Sequence, residues 1–156
     1  PNTCVSAIKA VRDLKLNYIT IHISSGLKAL KAAKKVSGKT KLIGVTILTS
    51  LDNKSLKEIG FEKEVKKLVL HQAKLASKAK LDAIVCSPHE IKIVKKVFKK
   101  EIITPGIRLS GDSKDDQKRI MTPKQAFQNG ATAVVMGRSL TSNPKKNIQK
   151  LIKELI

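Results

Sequence analysis

The stretch DAIVCSPHEIKIVKKVFKKEIIT, Asp82 to Thr104, decides the fold. It opens on a short run rich in Ile and Val, passes through a helix-start signal at Ser87-Pro88-His89-Glu90, and ends on a second apolar run. Runs of this length, apolar throughout rather than alternating, fit strands buried on both faces. Ser at the cap, Pro at the first helical position and Glu three residues after the cap together read as a capping box. Strand, helix, strand is the unit of a parallel sheet with right-handed crossovers.

The same unit recurs on both sides. Further strand-like runs are Tyr18–Ile23, Leu42–Leu48 and Thr132–Met136, giving five with Asp82–Ser87 and Glu101–Thr104. Between them lie amphipathic patterns. Leu27, Leu30, Ala33 and Val36 form one stripe that ends near Gly38. Val65, Leu68, Val69, Leu75, Ala76 and Ala79 form another within a segment starting near Phe61, its lysines outward. Thr122-Pro123-Lys124-Gln125 reads as a second capping box, with Gly130 as its helix stop, and Asn143-Pro144 opens the last helix. The order is one helix followed by five strand–helix units in a single α/β domain over residues 1–156. Either an open doubly wound sheet or part of a (β/α)8 barrel satisfies it. A closed barrel needs about 250 residues and eight strands. No Gly-x-Gly-x-x-Gly turn follows the first strand, which weakens a dinucleotide reading.

Composition narrows the function. The chain of 156 residues has a formal net charge of +20, from 28 Lys and only four Arg set against 12 acidic residues. The lysines are spread over every helical segment, aromatics make up 3%, and no nucleic-acid motif is present. Solvated helix faces account for that charge better than a nucleic-acid interface does. A positive field also favours an anionic small molecule. No apolar run approaches the length of a membrane span, and the start lacks a basic-then-apolar signal pattern. Cys4 and Cys86 form no metal or disulfide pattern and read as two small buried residues in a reducing, cytoplasmic setting. The sequence begins with Pro rather than Met, so a trimmed or partial chain is expected.

In parallel α/β folds, chemistry gathers at the carboxyl ends of the strands. Those ends read HISSG, TILTSLD, CSPHE, TPGIRLSGDSKDDQ and MGRSL. The long polar connection Thr104–Pro123 exceeds the usual length of an idle loop. Arg108 opens it and Gln117 lies near its end. Gly137 allows a ligand close to backbone N–H groups, and Arg138 offers a planar fork suited to phosphate. Three of the four arginines fall between Arg108 and Arg138. Thr46, Thr49 and Ser50 put hydroxyls at the end of the second strand, for a ligand or for a cap. His22 lies within a strand, where a core histidine is the expectation. His71 and His89 are expected on the surface, and no metal-ligand spacing is present.

TPGIR, DQ-x-R-x-x-TP and VVMGRS, with PNT, IHISSG, IGVTILTS and LDAIVCS in the same order, resemble the bacterial orotidine 5′-phosphate decarboxylase family over essentially the whole chain. The resemblance implies a (β/α)8 TIM barrel acting as a homodimer, converting orotidine 5′-monophosphate to UMP and CO2 without metal or organic cofactor. It implies that the five strands here are barrel strands four to eight, the first three being missing. The family's Asp-x-Lys-x-x-Asp-Ile-Pro-Asn-Thr motif would end at Pro1-Asn2-Thr3, leaving its Lys and both Asp upstream. Carried over residue by residue, Thr49 matches a pyrimidine-ring contact. Arg108 and Gln117 match the phosphate-side loop, with Gln117 bridging phosphate and base. Gly137 and Arg138 match the phosphate grip, and Thr3 a position near ligand and dimer interface. The alternatives are a non-catalytic fragment with a residual phosphate site, a Mg2+-dependent sugar-phosphate lyase, against which TPGIR–DQ argues, and a basic nucleic-acid binder.

Overall fold

The structure is a computed structural model that describes residues 1–112 and 119–156. Five parallel strands form one sheet: β1 (Tyr18–His22), β2 (Lys41–Val45), β3 (Ala83–Val85), β4 (Glu101–Thr104) and β5 (Ala133–Val134). Their spatial order is β1-β2-β3-β4-β5, with no reversal. A doubly wound sheet reverses its strand order at a switch point; a barrel wall does not. The order therefore selects the barrel-like alternative.

Eight helices accompany the strands among the described residues: α1 (Asn2–Ala10), α2 (Leu27–Val36), α3 (Asn53–Glu58), α4 (Val65–Lys78), α5 (Ile91–Val97), α6 (Pro123–Asn129), α7 (Arg138–Thr141) and α8 (Pro144–Leu155). The core lies between the sheet and the helices. Leu42, Ile84 and Ile102 point outward from the strands and are fully buried with Leu30, Val69, Ile91, Val94 and Phe98. Gly44, paired with Ile21 and Ile84 in the sheet, leaves room for side chains. A Cβ there would lie 2.7 Å from Leu81 Cδ1 and 2.9 Å from Ile23 Cδ1.

The opposite face is exposed at its β1 and β5 margins, while Ile43 and Ala83 in the middle of it are buried. Tyr18, Thr20 and His22 of β1 are exposed, while Ile19 and Ile21 between them are half-buried. This corrects the expectation for His22. It sits in a strand but on the face away from the helices, so it is not a core residue. At the amino ends of the strands that same face carries a polar group. Tyr18 donates to Glu101 Oε2 at 3.2 Å, and Lys41 donates to Glu101 Oε1 while lying 5.3 Å over the Tyr18 ring. Behind it, Asp82 pairs with Lys34, accepts the Leu42 N–H at 2.9 Å and lies 3.6 Å from Lys100. Burial opposes ionisation of Asp82, but the Lys34 and Leu42 hydrogen bonds and the two ammonium charges outweigh it and hold the carboxyl below its ordinary range.

Local signals held where the chain alone decides. Thr122 and Gln125 form the full capping box of α6, at 3.4 and 3.3 Å, and Gly130 ends the helix at φ 105°. Asn143 caps α8. Two expectations need correction. Ser87 accepts the His89 N–H at 3.4 Å, but Glu90 does not reach back to close the box, because its carboxylate is paired with Arg119. The helix expected from Phe61 starts at Val65, whose N–H is held by Asn53 Oδ1 at 2.8 Å, and the short α3 precedes it, capped by Asp52. Cys86 is buried as expected, whereas Cys4 is only partly so. His71 and His89 are exposed.

Candidate functional site

The carboxyl ends of β4 and β5 bring the Arg108 segment beside Gly137 and Arg138. Val135 N–H donates to the Thr104 carbonyl at 2.8 Å, carrying the pairing of the two strands to the mouth of the sheet. Beyond Thr104 the chain turns through Gly106 at φ 76° to Ile107, which pairs with Met121. Arg108 N–H donates to the Met121 carbonyl at 3.1 Å and Met121 N–H to the Gly106 carbonyl at 3.3 Å. Both ends of the long connection are thus pinned together.

Arg108 is 6% exposed. Its Nη1 donates to the Ile107 carbonyl at 3.1 Å, while its Nε is buried with no hydrogen-bond partner among the described residues. A buried guanidinium with a spare donor is costly unless an acceptor arrives. Gly137 and Arg138, at the start of α7, are both exposed, and open space surrounds the position a Cβ would take on Gly137.

A serine fastens these two segments. Ser139 Oγ accepts the Leu109 N–H at 3.0 Å and donates to Asp112 Oδ2. Ser110 N–H donates to Glu154 of α8 at 2.8 Å. The residue after Arg108 is therefore tied to the residue after Arg138. Ser139 stands in the MGRSL motif but carried no role at the sequence level, since a serine beside an arginine is commonplace.

Thr49 is buried at 9% exposure in the segment after β2. Thr46 is structural: both its N–H and its hydroxyl donate to the Val85 carbonyl, at 3.1 and 2.7 Å. Arg119 joins this segment to the return arm of the connection, donating to Glu90 Oε1 at 2.6 Å and to the Leu48 carbonyl at 3.0 Å. Beneath it, burial raises the Cys86 thiol to about 12, with the Glu90 carboxylate adding to the effect and Arg119 opposing it. Gln117 falls outside the described residues. Thr3 stands apart, exposed on α1 at the far margin of the sheet, in a groove of about 290 Å3 shared with Cys4 and His22. A larger cavity of about 530 Å3, between Ile23, Phe61 and Gln72, touches none of the predicted site residues. Among the described residues no cluster of His, Cys, Asp or Glu could hold a metal ion, and no helix is long and apolar enough to cross a membrane.

Residues 1–151 match the model of the Orotidine 5′-phosphate decarboxylase / HUMPS family. The chain belongs to that family. Its similarity to individual family members is uniform and long. It is 44% identical over 161 residues to the orotidine 5′-phosphate decarboxylase of Wolbachia pipientis subsp. Culex pipiens, covering 99% of this chain and 71% of the relative. The enzyme of the same name from Prochlorococcus marinus strain MIT 9215 is 42% identical, with 99% and 70% covered. The crystal structure of the Lactobacillus acidophilus orotidine 5′-phosphate decarboxylase superposes with a TM-score of 0.79 at 32% identity, over 99% of this chain and 70% of that one. The Pyrococcus horikoshii structure, at 18% identity and a TM-score of 0.72, supports the fold alone. For the orotidine 5′-phosphate decarboxylase / HUMPS family, then, this chain supplies a five-stranded parallel wall with a latched, arginine-bearing mouth.

Proposed function

We propose that this chain forms the phosphate-holding and ring-contacting part of an orotidine 5′-phosphate decarboxylase, which converts orotidine 5′-monophosphate to UMP and CO2 in pyrimidine synthesis. The observation that carries the reading is the latch through Ser139, which places the Arg108 segment beside the Gly137–Arg138 turn at the carboxyl ends of neighbouring strands. Two guanidinium groups and an uncovered backbone turn suit a phosphate dianion. Thr49 follows β2, two strands along the sheet from β4, where the ring would rest. Gln117 is assigned to bridge phosphate and base, and Thr3 to the approach near a dimer interface. The five strands correspond to barrel strands four to eight, and the working unit is a homodimer.

In this reading the C6–carboxylate bond breaks with its electron pair left on C6. A Lys ammonium held between carboxylates stabilises that carbanion and then protonates it. The Asp-x-Lys-x-x-Asp motif that provides these groups does not occur in the 156 residues. The residues here act at a distance: phosphate binding energy orients the ring and excludes water, which lowers the barrier without touching the reacting carbon. A polypeptide of these residues alone is expected to bind UMP without turning over orotidine 5′-monophosphate. UMP production by the purified polypeptide would refute this division of labour.

Titration of Arg138→Ala with UMP and with uridine tests the assignment. UMP affinity should fall about 10-fold or more, since a charge-assisted pair contributes about 1.5–3 kcal/mol, while uridine binding stays unchanged. Equal loss for both ligands removes the phosphate role.

A further inference from the structure

Arg119 is left over once Arg108 and Arg138 have been given to phosphate. Its guanidinium fork reaches two partners at once: Glu90 Oε1 at 2.6 Å and the Leu48 carbonyl at 3.0 Å. The Arg119 and Glu90 side chains are 14% and 6% exposed, so the pair is shielded from solvent. Glu90 follows β3, Leu48 follows β2 and immediately precedes Thr49, and Arg119 lies on the return arm between β4 and α6. The Leu48 carbonyl also accepts the Leu51 N–H at 3.1 Å, so the fork grips a turn already formed. One side chain spans the mouth across three strand ends.

Stability alone explains this poorly. Desolvating an ion pair commonly offsets its attraction, and an apolar replacement often serves as well. Here the pair is not even saturated: among the described residues, Glu90 Oε2 and Arg119 Nε are buried without partners. What the fork does supply is a fixed distance, because a planar guanidinium holds two acceptors at set angles where an ammonium cannot.

We propose that Arg119 is a positioning residue that sets the spacing between the Thr49 segment and the return arm of the connection. It thereby sets the fit of a ligand that must touch the ring side and the phosphate side together. The second clause rests on the nucleotide site proposed above; the first rests on geometry alone.

Arg119→Lys in the 156-residue chain tests both, with amide exchange and calorimetric titration of UMP and uridine. The expected result is faster exchange at the Leu51 amide with β3 amides unchanged, UMP affinity reduced about 10-fold, as small misplacements in a site allow, and uridine affinity intact. Unchanged Leu51 exchange, or UMP bound as tightly as by the parent, overturns the proposal. A parent chain that does not prefer UMP to uridine overturns the nucleotide site and the ligand clause with it, while Leu51 exchange still decides the spacing clause. If Arg119→Lys does not fold, Glu90→Ala, which removes the acceptor that orients the fork, takes the same measurements with the same expected signs.

Discussion

Ser139 does the work of a latch with one oxygen, accepting from Leu109 N–H and donating to Asp112. Ser139→Ala leaves the Leu109 donor buried and unmatched, which costs roughly 1–3 kcal/mol; urea unfolding reads the loss, and UMP titration should show it again as weakened binding. Gly44 argues at the same scale. An Ala there must push into Leu81 and Ile23, so Gly44→Ala should lower stability by about 1–3 kcal/mol, as overpacking does. The two thiols differ by burial: iodoacetamide should label Cys4 in the folded chain and spare Cys86, whose thiol is held protonated at 1% exposure. Equal labelling would contradict that packing. Arg108 and Arg138 stood out as candidates because arginine is scarce in a lysine-rich chain. Arg119 and Glu90 were not, because a long-range pair leaves no local spacing to read. His22 was misread for a related reason: the strand was legible, but which face would be covered was not.

Capping explains most of what could be read about the elements. The Thr122 box uses neighbours in sequence, so it is visible in four letters and present in the fold. Thr122→Ala should cost about 1 kcal/mol, seen as a lower urea midpoint. The Ser87 box failed because Glu90 had a better partner elsewhere, and α3 was missed because Asn53 and Asp52 stabilise a turn that periodicity does not announce. Asp82 ties the β2 and β3 layers to α2 through Lys34 and Leu42. Its folded pKa lies below the ordinary value of 3.8. The stabilisation is therefore complete above that value and is lost as pH falls through the folded pKa. Acid unfolding of Asp82→Asn should lack the part of the transition that lies below about pH 4.

For the whole molecule, strand–helix alternation established a parallel sheet but left two topologies, which only the spatial order of the strands separates. Among the described residues the sheet presents two unpaired edges, β1 and β5, and a second face exposed at those margins. Apolar residues also stand exposed on α8, with Ile148 at 46% and Ile152 at 51%. Open edges invite pairing with other chains, while a net charge of +20 opposes it. Light scattering on the isolated chain should show association that grows with concentration and with added salt, since salt screens the repulsion. A monomer with a cooperative melt at all salt concentrations would argue that the edges are covered. The Ile107–Met121 pin separates the scaffold from whatever chain runs between. The connection leaves and returns at one place, and its described arms are held there by Ser139, Glu154, Glu90 and Leu48. The mouth is thus built as a socket whose rim, residues 107–112 and 119–121, is fixed to α7, α8 and the ends of β2 and β3 while β4 and α6 keep their places.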